Sequence, residues 1–108
     1  MSSETNVLMV YITAANDAEA QTLASLLVQH KLAACVNILG PIQSVYEWKG
    51  KLESATEVAM VAKTTGERFP ELEKTVREHH SYENPCIVAW PLTHGHGPFF
   101  DWVKTQTS

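Results

Sequence analysis

The sequence predicts an α/β (α+β) domain in which helices cover one face of a single antiparallel sheet. Three observations predict it. A short apolar run near the N-terminus has the composition of a central strand, two later stretches carry apolar residues at helical spacing, and between them a long period-2 alternation folds back on a Lys-Gly turn. The order that follows is β-α-β-β-α-β with a short closing helix.

Val7-Leu8-Met9-Val10-Tyr11-Ile12-Thr13 is rich in β-branched and aromatic residues and gives way to a polar cluster, as a buried central strand does. Asn16 with Glu19 after it forms an N-capping pair. Ala20, Leu23, Ala24, Leu27 and Val28 then fall at i, i+3, i+4, i+7 and i+8, so an amphipathic helix runs to near Lys31. From Ala33 the chain alternates, with Ala34, Val36 and Ile38 on one face and Cys35, Asn37 and Leu39 on the other. Gly40-Pro41 interrupts the ladder and predicts a bulge or bend. Alternation resumes through Ile42, Ser44, Tyr46 and Trp48, turns at Lys49-Gly50, returns from Lys51 to Lys63, and closes at Thr64-Thr65-Gly66.

Phe69, Leu72 and Val76 restore helical spacing, with Pro70 tolerated in a first turn, so a second helix runs from about Arg68 to His80. The Pro-bounded run from Pro85 to Pro91 suits a fourth strand, and Phe99 to Lys104 a short closing helix. The two halves are each β-α-β, the split arrangement of a ferredoxin-like sandwich. No linker divides them, and the expectation is one domain over residues 1–108 with an ordered core of about 7–105.

Composition sets the function classes. The chain has 108 residues, 44% hydrophobic and 19% charged, the range of one globular domain. A domain so short buries a modest share of its surface, which gives self-association something to contribute. Eight Lys+Arg stand against 12 Asp+Glu for a net charge of −4, with no basic patch, so neither nucleic acid nor an anionic membrane is expected as a partner. Met1 to Asn6 carries no Lys or Arg, and the apolar run Val7 to Ile12 is far below spanning length; no export signal or anchor is expected. Cys35 and Cys86 lack CxxC spacing, which argues against a disulfide framework or zinc ribbon and for a reduced cytoplasm.

The hairpin's length carries a further expectation. About 13 residues at about 3.4 Å each extend over about 44 Å, whereas a globule of this size has a radius of gyration near 13 Å. The tip should overhang its own domain. Tyr46, Trp48, Leu52 and Val58 on such a ribbon would expose apolar side chains and unpaired edges, which calls for another chain to cover them.

Three segments resemble the CutA divalent-cation-tolerance family over about Val7 to Val103. They are Lys31-Leu32-Ala33-Ala34-Cys35-Val36-Asn37-Ile38; the hairpin stretch Ser44 to Glu53 with Glu57 and Lys63-Thr64-Thr65; and His79-His80-Ser81-Tyr82-Glu83-Asn84-Pro85 with Pro91 and Trp102. The resemblance implies a homotrimer whose hairpins pair around a threefold axis, leaving intersubunit clefts. It also implies a link to tolerance of copper and other divalent metals, with His79 and His80 as the carried-over metal residues. The cysteine that accompanies the histidines in some members falls on Ile12, and Ser81 stands where the family usually has proline.

Each constellation has two readings. His79 continues the Phe69, Leu72, Val76 stripe and His80 projects about 100° away, so the paired rings either cap carbonyls and line a cleft or hold copper, nickel or zinc. His94-Gly95-His96-Gly97 is either a flexible turn or a pair of imidazoles near a metal. Cys35 and Cys86 are small buried strand residues, or a thiolate ligand or nucleophile. Trp48, Glu57, Lys63, Tyr82 and Trp102, with Cys35, are candidates for an intersubunit cleft that binds a small anionic ligand, or Glu57 and Lys63 pair across an interface that the aromatics pack. No phosphate-cradling loop, hydrolase elbow or carboxylate pair is present, so no enzyme activity is expected. The alternative to metal homeostasis is a small-ligand sensor, by analogy of architecture with nitrogen-regulatory trimers.

Overall fold

The computed structural model describes residues 6–108. Its elements are β1 (Val7–Ala14), α1 (Asp17–Gln29), β2 (Cys35–Trp48), β3 (Lys51–Thr65), α2 (Phe69–His79), β4 (Ile87–Pro91) and α3 (Gly97–Gln106). Every strand pairing is antiparallel and the sheet order is β2-β3-β1-β4, the split β-α-β sandwich that the sequence predicts.

Period-2 alternation on β1 turns Val10, Ile12 and Ala14 toward the helices, where Leu23 and Leu27 of α1 and Leu72 and Val76 of α2 meet them with Met60 and Ala62 of β3. Each such side chain, fully buried, contributes roughly 1.5–3 kcal/mol. Val28 lies at the margin of the α1 stripe and is 43% exposed, so the buried face is narrower than the spacing suggests. A smaller cluster of Val7, Ala34, Phe100 and Val103 docks α3.

The local signals work as their chemistry dictates. The Asn16 side chain accepts the Glu19 N–H at 2.8 Å, and the Glu19 carboxylate reaches back to the Ala15 N–H at 2.8 Å, one residue earlier than a standard capping box. Pro70 sits in the first turn of α2. The register steps from Ile38↔Met60 to Gly40↔Ala59, leaving Leu39 bulged out beside Gly40 at φ +113°. Lys49 and Gly50, at φ +53° and +80°, make the primed two-residue turn. The hairpin does not close at Thr64-Thr65: both residues stay in β3, paired with Leu8 and Val7, because β1 supplies the partners.

The overhang is present. The molecule measures 49 × 27 × 22 Å with a radius of gyration of 14.7 Å, against about 13 Å for a compact chain of this length. Tyr46, Trp48 and Leu52 on the projecting part are exposed, as is Val45, but Val58 is not: it lies at the base of the hairpin, where it is buried in the main core.

Candidate functional site

The site grows from the way α2 ends. His79 is its last helical residue, and His80 leaves at φ −83°, ψ 144°, so helical projection no longer applies to it. The expected orientation is therefore reversed: His79 is exposed, and the His80 side chain is completely buried. His80 Nε2 lies 2.7 Å from the Thr13 carbonyl, and Nδ1 receives the Tyr82 N–H at 3.0 Å. A carbonyl only accepts and an amide N–H only donates, so the ring is a neutral imidazole with its proton on Nε2. His79 donates Nδ1–H to the Thr75 carbonyl at 2.8 Å, which leaves Nε2 toward solvent.

The segment that follows is held from the other side by Glu19. Its carboxylate accepts the Ser81 N–H at 2.7 Å and the Ser81 hydroxyl at 3.1 Å, besides the Ala15 N–H. Burial alone would raise this carboxyl; the hydrogen bonds from Ala15 and Ser81 outweigh it and hold it below the ordinary carboxylate range. His80 Nδ1 stands 3.9 Å from Glu19, yet as the acceptor for Tyr82 it is not the cation of an ion pair. Ser81, in the place of a proline, thus supplies two donors that a proline lacks.

Anchored in this way, the stretch that follows His80 forms one wall of a cleft of about 500 Å³ that reaches from the sheet to the outer part of the hairpin. Ser81, Tyr82, Glu83, Asn84 and Cys86 line that wall, Thr13 and Glu57 come from the sheet, and Tyr46 and Trp48 from β2. Glu57 is 7% exposed. The Tyr82 hydroxyl hydrogen-bonds the Glu57 carboxylate; burial, that bond and the neighbouring charge push the phenol up to about 12. Local desolvation of its sulfur, on a residue exposed as a whole, and the Glu57 charge push the Cys86 thiol up, away from thiolate reactivity.

Of the residues proposed from sequence, Trp48, Glu57 and Tyr82 share this cleft and three do not. Cys35 and Lys63 face each other in the β2/β3 ladder, with the Lys63 ammonium on the Asn37 side chain. Trp102 lies on α3 against Phe99, ring centroids 5.7 Å apart. Among the described residues Glu57 and Lys63 form no ion pair within the chain. The cysteines are not the buried strand residues expected: Cys35 is half-buried, and Cys86 is exposed and precedes β4. His94 Nδ1 lies 2.8 Å from the Thr93 hydroxyl, and His96 stands at the N-cap position of α3 without a side-chain cap hydrogen bond; among the described residues neither belongs to a group of three or more potential metal donors.

The histidine pair does not fit a chelated metal within one chain. Both His80 nitrogens are engaged, and among the described residues no group of three or more His, Cys, Asp or Glu could hold an ion. Sequence reasoning missed Tyr46, Glu83 and Asn84 as cleft residues. Their meeting depends on where the chain turns after α2, which no local periodicity encodes.

Residues 8–106 match the family model described as the CutA1 divalent ion tolerance protein. The divalent-cation tolerance protein CutA of Archaeoglobus fulgidus is 49% identical over 94 residues, which cover 87% of this chain and 91% of that protein. The chloroplastic protein CutA of Arabidopsis thaliana is 40% identical over 100 residues, and the match covers 93% of this chain but only 55% of that longer protein. A solved structure, described as the periplasmic divalent cation tolerance protein CutA of Archaeoglobus fulgidus, superposes with a TM-score of 0.91 at 45% identity, covering 94% of this chain and 99% of the other. Sequence, fold and length of match agree, and the chain belongs to the CutA1 divalent ion tolerance family.

Proposed function

We propose that this protein acts in divalent-cation tolerance as a homotrimer that binds rather than catalyses, and that copper or a similar ion is met at the subunit boundary. The observation that carries the reading is the uncovered hairpin: Leu52, Val45, Tyr46 and Trp48 are exposed on a ribbon that projects beyond the core. Such a surface asks for neighbouring copies. Within one chain His79 Nε2 is the open imidazole of the pair, a donor that suits copper, and further donors would come from the adjacent subunit. The unpaired Cys35 and Cys86 favour a reduced compartment, the cytoplasm, although one relative is described as periplasmic.

The test is titration of Cu(II) by calorimetry with the assembly mass measured in the same sample. A trimer that binds Cu(II) near one ion per subunit, and loses it in His79→Ala, is expected. Unchanged affinity in that variant removes His79 from the site, and a single-chain mass removes the trimer.

A further inference from the structure

We propose that the cleft along the hairpin is a binding site for a small organic cation, an ammonium or quaternary ammonium group on a compact apolar body. Three independent features of the cleft select this chemistry over the anionic ligand that the sequence suggested.

The first is charge. Glu57 and Glu83 are in the lining, and no Lys, Arg or His is. An anion would meet two carboxylates and no counter-charge. The second is the burial of Glu57, which is 7% exposed. Ion pairs among the described residues involve Arg77 with Glu73 and the approach of His80 to Glu19, so Glu57 has no cationic partner within its own chain; the Tyr82 hydroxyl is its hydrogen-bond donor. A carboxylate this far from water calls for a compensating cation, and the cleft is where one can enter.

The third is the aromatic lining. Tyr46, Trp48 and Tyr82 line the same cleft as Glu57, and the faces of such rings attract a desolvated cation. Trp48 already draws one: the Lys49 ammonium sits 5.8 Å from its ring centroid. The phenol of Tyr82, with its proton held to well above neutrality, remains a donor to Glu57 rather than a competing anion. A volume of about 500 Å³ suits a small organic molecule. A bare divalent ion is less well served, because no three-donor group stands among the described residues.

The cation contacts come from a single chain, so the inference does not depend on His79 or on any metal. It rests on the trimer reading only for the outer wall, where a neighbour seated on the hairpin would enclose the ligand. The two can fail separately.

The experiment titrates the purified full chain with choline and with 3,3-dimethylbutan-1-ol, its uncharged carbon isostere, following the Trp48 indole resonance by NMR. Sedimentation mass and melting temperature are recorded for every sample, so that loss of assembly is distinguished from loss of binding. Choline is expected to saturate the Trp48 signal with about tenfold or greater preference over the isostere. Glu57→Gln and, separately, the exposed-site variant Trp48→Ala, followed by the Tyr82 resonances, should each weaken choline by about tenfold. Equal binding of choline and its isostere overturns the proposal. So does choline affinity unchanged in both variants, or the lack of any saturable response in protein of intact mass and melting temperature.

Discussion

Glu19 shows how one side chain serves two distant parts of the chain. It completes the cap of α1 through Ala15 and ties down Ser81, and its carboxyl is held below the ordinary value by those donors against the opposing pull of burial. A depressed carboxyl contributes stability above its unfolded pKa and loses it as pH falls through the folded one. Glu19→Gln should therefore cost about 1–3 kcal/mol at neutral pH, and the gap to wild type should close on acidification below the ordinary carboxylate range. Urea melts across that range decide it; a pH-independent gap removes the charge from the explanation. Tyr82 has the opposite sign. With its phenol raised from 10.0 to about 12, its contribution is complete below the unfolded value and disappears as pH climbs between the two. Phenolate absorbance lost in Tyr82→Phe should belong to the late-titrating group. The cap pair is legible in the sequence, since it is local. The fate of His80 is not, because a helix wheel stops being valid at the residue where α2 ends, and its partner Thr13 lies on β1.

At the scale of elements, the hairpin is the most legible feature: alternation, the interruption at Gly40-Pro41 and the turn at Lys49-Gly50 each express a backbone requirement that local sequence encodes. Its point of closure is not legible in the same way, because Thr64 and Thr65 are kept in the sheet by β1, a partner remote in sequence. Two glycines separate conformation from space. Neither Gly40 nor Gly97 has anything within 4 Å of the place a Cβ would occupy, but Gly40 adopts φ +113° at the bulge while Gly97 opens α3 outside the left-handed region. Gly40→Ala should cost about 1–3 kcal/mol through backbone strain alone. Gly97→Ala should be neutral or stabilise by up to about 1 kcal/mol through the unfolded chain. Thermal melts of both variants test this, and equal effects would mean that strain at the bulge is not what fixes the residue.

For the whole molecule, the decisive quantity is the mismatch between a ribbon long enough to stretch the fold to 49 Å and a core that covers only its base. Leu52, 79% exposed opposite Glu47 in the ladder, is far from every buried cluster, so a charge placed there leaves the subunit's own packing intact. If neighbours cover the ribbon, that charge must be desolvated in each copy. The lost burial of Leu52 alone is worth roughly 1.5–3 kcal/mol per subunit, incurred at every repeat of the interface, with the uncompensated carboxylate adding to it. Leu52→Asp should therefore shift the mass from three chains toward one at micromolar concentration and make the melting temperature depend on concentration, while the circular dichroism of the fold persists. A wild-type mass retained across dilution would mean that assembly is carried elsewhere than the hairpin tip. The exposed leucine would then be a solitary surface residue of the ordinary kind.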